Sequence, residues 1–106
     1  VKTVVLTRGG AGALFIAPDF KAEAPGYSVT PVDTTGAGDA FVAALLYQLA
    51  QRQVRPEALR PGDALEILEF ANAAGAITTL SRGAIAALPD LGTVQAFLSK
   101  QLGRTR

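Results

Sequence analysis

The strongest constraint on the fold lies in residues 33–39, which read Asp-Thr-Thr-Gly-Ala-Gly-Asp and lead directly into an apolar run over residues 40–46. The run predicts a helix, so the glycine-containing turn lies at a helix N-terminus. Unpaired backbone N–H groups and the positive end of the helix dipole favour an anion there, and glycine leaves room for a phosphate. Asp39 would repel such an anion. A role as the base that takes a proton from an attacking hydroxyl explains its presence.

The overall composition excludes several classes of protein. The chain has 106 residues, of which 49% are hydrophobic, enough for the core of one small domain. A net charge of +1 argues against a nucleic-acid partner, which needs clustered Lys and Arg. The longest apolar run, residues 40–47, is far shorter than the ~20 residues of a membrane-spanning helix. No signal-peptide pattern is visible either, so we expect no membrane partner.

Cysteine and histidine are both absent from the sequence. The lack of cysteine fits a reducing compartment, and we expect a cytoplasmic protein without disulfides or thiolate chemistry. The lack of histidine excludes a Ser-His-Asp triad and the usual zinc ligands within these residues. Acid–base chemistry here must therefore depend on Asp, Glu, Lys or Tyr.

The chain opens directly with a strand-like segment, without an initiator Met or a lead-in. Chain termini normally lie frayed at the surface, so a first residue inside a core strand is unusual. We therefore expect residues 1–106 to be one part of a domain that belongs to a longer polypeptide.

Short apolar segments separated by turn residues predict strands in the first third of the chain. We expect strands over residues 4–7, 13–17 and 20–23, and another over residues 27–32, where Pro31 implies an edge position or a strand end. The short glycine-containing link between the first two strands predicts a hairpin.

Three helices are expected in the remainder. The first covers residues 37–52, the second runs from Asp63 as its N-cap to about residue 80, and the third starts near Asp90. The first is apolar on nearly all sides, so we expect it to be buried between layers. Strands followed by helices indicate the end of an α/β sandwich rather than a complete doubly wound domain.

A second glycine-rich segment places Thr7, Gly9 and Gly12 in T-x-G-x-x-G spacing at the end of the first strand. Its backbone could approach a nucleotide phosphate, with Thr7 donating a hydrogen bond. A hairpin turn without a ligand is the alternative. No helix follows, so the segment is not a dinucleotide-binding fingerprint, and a dinucleotide-dependent oxidoreductase is disfavoured. The sequence also has no Walker A motif.

Residues 33–41 match every fixed position of the pattern D-T-x-G-A-G-D-x-F. This segment resembles the C-terminal signature of the ribokinase-like sugar kinases, the PfkB family. Residues 70–76 resemble a later helix of the family, and residues 83–89 resemble fructokinases most. The resemblance covers the whole chain but only the last third of such an enzyme. It implies an α/β fold, the C-terminal part of a ribokinase-like three-layer α/β/α sandwich.

The resemblance implies roles for the residues of this motif. Asp39 would be the catalytic base that removes the proton from a primary hydroxyl of the sugar. The backbone N–H groups of Gly36, Ala37, Gly38 and Asp39 would hold the γ-phosphoryl group during its transfer. Taken alone, Asp39 is better explained as a first-turn carboxylate that complements the helix dipole, and only the whole motif favours the catalytic role.

The resemblance also implies a nucleotide site. Thr7, Gly9 and Gly12 would contact ATP, and Asn72 would lie near the adenine or the ribose. A buried Asn bonded to the backbone is an equally good interpretation of Asn72.

Two kinds of cation follow from the same resemblance. Magnesium would accompany ATP. Asp33 and Thr35 resemble part of the potassium-type site of many members of the family, although as isolated residues Asp33 and its neighbours are also good turn formers.

The acceptor is left open, since the residues that choose it lie outside this chain. Fructose is favoured, and ribose, 2-keto-3-deoxygluconate and nucleosides are alternatives. The family's sugar-binding segment, lid strands and N-x-x-E motif are missing, so we expect the chain alone to be inactive. It would need the missing N-terminal portion or assemble as a homo-oligomer. A non-catalytic nucleotide-binding module competes with this interpretation, but such a module would favour an uncharged residue at Asp39.

Overall fold

The computed structural model describes residues 3–27, 29, 36–80 and 91–102. The first third of the chain forms a three-stranded sheet of β1 (Val4–Thr7), β2 (Ala13–Ile16) and β3 (Lys21–Ala24). Neighbouring strands are antiparallel, and β2 lies in the centre. The three strands predicted in this region are confirmed, the third of them displaced by one residue.

Short turns join the strands, as the glycine and proline positions predict. Between β1 and β2, the Arg8 N–H donates to the Gly12 carbonyl at 2.8 Å, across a 3-10 turn at Gly9–Ala11. Between β2 and β3, the Ala17 N–H donates to the Phe20 carbonyl at 2.9 Å. These turns hold the strands in a simple meander.

One face of the sheet is buried. Ala13 and Phe15 of β2 and Ala22 and Ala24 of β3 are all at most 8% exposed, and they alternate with side chains on the other face. The edge strand β1 is mostly exposed. The sheet therefore contributes to the core chiefly through β2 and β3.

Helix α1 (Ala37–Arg52) begins and ends where the sequence predicts. It follows Gly36, whose φ of 81° lies in the left-handed region that favours glycine. It ends before Gln53, which also has a positive φ, of 54°.

Helix α2 (Pro61–Thr78) begins earlier than expected, with its N-cap three residues before the predicted one. Its first residue is Pro61, whose fixed φ suits the start of a helix and whose missing N–H would have no partner there. The prediction of Asp63 as the N-cap is wrong, because Arg60 occupies that position. The Asp63 carboxylate instead lies in the first turn, 3.4 Å from the guanidinium of Arg52 and 3.8 Å from that of Arg60.

Helix α3 (Leu91–Leu102) packs against α2. The expected start, Asp90, lies outside the described residues. Val94 and Leu98, spaced four residues apart, are at most 5% exposed and join the core. The ring of Phe97 meets that of Tyr27 edge-on, with centroids 5.3 Å apart.

The central helix of the core is α2, not α1. Residues 70–75 of α2 are all buried, and the helix packs against the sheet, against α1 and against α3. The prediction that α1 is buried between layers is wrong for the described chain, where Val42 and Leu46 are 49% and 58% exposed. The reason is that α1 packs mainly against α2, and no other described element covers its outer face.

The fourth predicted strand is not formed in the part that can be described. Tyr27 and Val29 have no strand conformation, and the other residues of the range 27–32 lie outside the described residues. Of the helices in the described ranges, none combines the length and the hydropathy needed to cross a bilayer.

Candidate active site

A cavity of about 350 Å³ lies where the β1–β2 turn meets the N-terminus of α1 and the C-terminal half of α2. Its volume falls within the roughly 300–1,000 Å³ of small-molecule sites. The lining residues come from these three elements and from the segment that follows β3, and they are Thr7, Gly9, Gly10, Gly12, Gly26, Tyr27, Val29, Ala37, Gly38, Phe41, Asn72, Gly75, Ala76 and Thr79. Two segments that are separated in sequence thus share one cavity, namely the β1–β2 turn at residues 8–12, called the glycine turn below, and the start of α1.

The β1–β2 turn presents bare backbone to the cavity. Gly9 has a φ of 55°, and a Cβ placed on it or on Gly10 would meet nothing within 4 Å. Thr7 lines the cavity at the end of β1, where the turn begins. The three residues predicted to contact a nucleotide, Thr7, Gly9 and Gly12, are therefore brought together on one wall.

The first turn of α1 forms another part of the wall through Ala37 and Gly38. A Cβ on Gly38 would meet nothing within 4 Å, so the space next to this backbone is open. The first hydrogen bond of the helix joins the Ala40 N–H to the Gly36 carbonyl at 2.9 Å. The N–H groups before Ala40 therefore have no acceptor within the helix, and with the helix dipole they favour an anion at this point.

Helix α2 closes the cavity and approaches α1 closely. A Cβ on Gly75 would lie 3.3 Å from the Ala37 carbonyl oxygen, so glycine permits this approach. One turn later, the Thr79 hydroxyl donates to the Ala76 carbonyl at 2.6 Å. The position of the α1 N-terminus thus depends on a small residue in α2.

Asn72 is buried, with 9% of its surface exposed, and lines the cavity. Its Nδ2 donates to the carbonyls of Ala24 at 3.2 Å and Pro25 at 3.3 Å. Asn72 is therefore bonded to the backbone and also lines the cavity, so its position is compatible with both interpretations of this residue.

The predicted base, Asp39, is not among the described residues that line the cavity. Asp39 lies in the first turn of α1, one residue after Gly38, and its side chain is exposed in this chain. Gly36 is the N-cap of the same helix. Asp33 and Thr35 lie outside the described residues, so their predicted role stays a prediction.

The described lining residues include no Lys, Arg, Asp or Glu. Arg8, at the adjacent turn, forms an ion pair with Glu23, and both side chains are largely exposed, which favours a surface role for that arginine. A negatively charged ligand would therefore be met here by backbone N–H groups and a helix dipole. Within the described ranges, no three acidic side chains converge into a metal site.

Several lining residues were not predicted as site residues. Gly26 and Tyr27 follow β3, Phe41 lies in α1, and Gly75 and Thr79 lie in or just after α2. The Pro25-Gly26 pair signals a turn in the sequence, but its contact with the distant glycine turn depends on how β3 pairs with β2.

A comparison with models of protein families identifies the family of this chain. The profile described as pfkB family carbohydrate kinase matches residues 1–91. This match covers most of the chain, which therefore belongs to the pfkB family of carbohydrate kinases.

Individual relatives point in the same direction. Fructokinase-2 of Oryza sativa subsp. japonica is 45% identical over 103 residues, which cover 94% of this chain and 29% of the relative. The chain thus spans about three tenths of the length of such relatives.

Solved structures agree with the fold. A Vibrio cholerae O395 fructokinase, bound to fructose, ADP and calcium ion, is 42% identical with a TM-score of 0.80, over 91% of this chain and 30% of the other. A Salmonella enterica aminoimidazole riboside kinase, complexed with aminoimidazole riboside and an ATP analog, is 38% identical with a TM-score of 0.78, over 92% of this chain and 32% of the other. The fold is accordingly the ribokinase-like α/β fold, represented in the described residues by an antiparallel sheet and three α-helices.

Proposed function

We propose that this chain is the C-terminal nucleotide-binding and catalytic part of an ATP-dependent sugar kinase. The observation that carries the proposal is the single cavity shared by the Thr7–Gly12 turn and the start of α1 at Ala37 and Gly38. Membership of a carbohydrate kinase family supports it. So do the solved relatives, which hold ADP with fructose or an ATP analog with a riboside.

In the proposed arrangement, ATP lies along the cavity between the two glycine-containing walls. The exposed backbone of Gly9 and Gly10 permits the close approach of the nucleotide. The γ-phosphoryl group lies at the N–H groups of Ala37, Gly38 and Asp39, which have no acceptor within the helix and where the helix dipole favours its charge. These groups are fixed before the substrate arrives, as transition-state stabilisation requires.

The reaction then needs one proton acceptor. The hydroxyl oxygen of the sugar attacks the γ-phosphorus, the bond from that phosphorus to the bridging oxygen of ADP breaks, and the hydroxyl proton passes to the Asp39 carboxylate. Phosphoryl transfer depends mainly on positioning and charge stabilisation, so a single base at the helix start completes the set. The exposure of Asp39 in this chain suits a group that meets a substrate held by other parts of the enzyme.

Cations and the acceptor are the finer parts of the proposal. Magnesium would be held through phosphate oxygens of ATP, the kind of ligand that it prefers. Asp33 and Thr35 are proposed ligands of a potassium-type ion. Fructose is the proposed acceptor, because fructokinases are among the most similar relatives, while ribose, 2-keto-3-deoxygluconate and nucleosides remain alternatives.

The chain alone is proposed to be inactive. It spans about three tenths of its relatives, and apolar side chains of β1 and α1 are exposed, among them Leu6 at 47% and Leu46 at 58%. We propose that the missing N-terminal portion covers this surface and supplies the sugar site, with self-association of the isolated chain as the alternative.

The decisive experiment is Asp39→Asn in the complete enzyme, with Asp63→Asn as the matched control. Both aspartates occupy the third position of a helix directly after a glycine, so both substitutions remove a first-turn carboxylate. Loss of a general base predicts a fall in kcat of about 10²–10⁴-fold for Asp39→Asn. ADP affinity by calorimetry should change little in both variants, and Asp63→Asn should retain near-normal turnover.

Two results would contradict the proposal. Near-normal sugar phosphorylation by Asp39→Asn would remove this carboxylate from the role of base. ADP binding without phosphorylation of any of the four acceptor classes by the complete wild-type protein would favour a non-catalytic nucleotide-binding module.

A further inference from the structure

Two glycine segments of the candidate site are in contact through their backbones. A Cβ on Gly12 would lie 2.1 Å from the Ala24 carbonyl oxygen and 2.7 Å from the Gly26 nitrogen. A Cβ on Gly26 would lie 2.0 Å from the Gly10 carbonyl oxygen. The glycine turn therefore rests directly on the segment that leaves β3, with no side chain between them.

Asn72 holds that same segment from the other side. Its Nδ2 donates to the carbonyls of Ala24 and Pro25, at 3.2 and 3.3 Å. The Ala24 carbonyl oxygen is the atom that lies closest to a Cβ on Gly12, so the amide of Asn72, this carbonyl and the glycine turn meet at one point. A side chain of α2 is thereby linked through two peptide groups to the wall of the cavity.

The chemistry of this contact requires a side chain with two donors. The Asn Nδ2 carries two hydrogens, one for each carbonyl, whereas a serine hydroxyl carries one and an ionised aspartate none. Ala24 is fully buried, so its carbonyl would have little access to water if it lost this donor, whereas Pro25 is exposed.

We propose that Asn72 is a positioning residue of the nucleotide site. Through Ala24 and Pro25 it fixes Gly26, which in turn supports the Gly10–Gly12 backbone that faces the nucleotide. This inference rests on the proposed function and adds to it a role for Asn72 that does not require its amide nitrogen to touch the nucleotide.

The test is Asn72→Asp in the complete enzyme, with Thr78→Val as the matched control. Aspartate keeps the shape of the side chain but places a carboxylate oxygen where the Nδ2 donor was, next to two carbonyl oxygens. Thr78 is fully buried in the same helix, and its hydroxyl donates to the Ala74 carbonyl at 2.9 Å, but it does not line the cavity. Thr78→Val thus removes a buried hydrogen bond to backbone from α2 without reaching the site.

Asn72→Asp removes both hydrogen bonds, and we expect it to raise the KM for ATP and the Kd for ADP by about tenfold or more, because the loss of one buried hydrogen bond alone corresponds to about tenfold. The kcat at saturating ATP should fall much less, because the α1 N-terminus and Asp39 are not part of this contact. Thr78→Val should lower Tm while it leaves the KM for ATP unchanged. Hydrogen exchange should quicken in residues 8–12 and 24–27 for Asn72→Asp only.

An unchanged KM and Kd in Asn72→Asp, or an equal rise in Thr78→Val, would overturn the positioning role. Failure of the proposed function is distinguishable from this. If the wild-type enzyme neither binds ADP nor phosphorylates a sugar, the kinase proposal fails, and the hydrogen-exchange difference alone decides whether Asn72 holds the glycine turn. Equal exchange in the two variants would then overturn the inference as well.

Discussion

The glycine turn at the cavity predicts a graded series of alanine substitutions. Gly10→Ala introduces a methyl group into open space at an ordinary φ. Gly9→Ala also meets open space, but at a φ of 55°. Gly12→Ala combines a φ of 104° with backbone atoms of Ala24, Gly26 and Pro25 between 2.1 and 2.8 Å from the new Cβ. The three changes add the same methyl group, so they isolate backbone strain from steric overlap.

The expected costs differ clearly. Gly10→Ala should change the free energy of unfolding by no more than about 0.5 kcal/mol. Gly9→Ala should cost about 1–2 kcal/mol, the penalty of a side chain in the left-handed region. Gly12→Ala should cost about 2–6 kcal/mol, from about 1–3 for the strained backbone and about 1–3 for overpacking against atoms that cannot rotate away. The last value is a large part of the ~5–15 kcal/mol that stabilises a typical domain.

Urea unfolding of the complete protein without nucleotide measures this series, since an added methyl group near the cavity would also affect binding. The urea concentration at the midpoint should be highest for Gly10→Ala, lower for Gly9→Ala and lowest for Gly12→Ala. If Gly12→Ala unfolds at the same urea concentration as Gly10→Ala, the backbone contact between the turn and the end of β3 does not exist as described.

Two further predictions concern the rest of the chain. Arg52→Ala removes the ion pairs with Asp63 at 3.4 Å and Glu66 at 3.2 Å, and because all three side chains are at least 30% exposed, it should cost only about 0.5–1 kcal/mol. Thermal unfolding at low and at 1 M salt checks this, and an equal loss at both would exclude an electrostatic origin. Leu46→Lys, at a side chain 58% exposed, should make the isolated chain less prone to self-association by light scattering but should lower the Tm of the complete enzyme. A complete enzyme with unchanged Tm would show that the outer face of α1 stays exposed there.

The sequence predicted local structure well where local chemistry determines it. The start and end of α1 follow from a glycine in the left-handed region and a long apolar run. The start of α2 is predicted too late because Asp63 is a good capping residue, although Pro61 is itself a signal for the first helical position. The first three strands follow from short apolar segments between turn residues.

The tertiary relations could not be predicted in the same way. Helices α1 and α2 are both rich in apolar residues, and only the packing shows that α2 is central while Leu46 of α1 is exposed. The contact of Gly12 with Gly26 depends on the register of β2 and β3. No spacing in the sequence indicates that the turn Pro25-Gly26 supports the turn that precedes β2.

The distribution of charge around the cavity explains why so small a part of an enzyme can carry a distinctive site. With no Lys, Arg, Asp or Glu among the described lining residues, the proposed anion binding would depend on backbone N–H groups, whose directions are set by the fold. Binding by backbone requires glycines that admit the ligand, as at Gly9 and Gly38, and glycines that admit a neighbouring segment, as at Gly12 and Gly75. A glycine of the first kind can be replaced by a larger residue only with a loss of space for the ligand. A glycine of the second kind can be replaced by a larger residue only with a displacement of the N–H groups themselves. We therefore expect substitutions far from any charged group to alter phosphate binding.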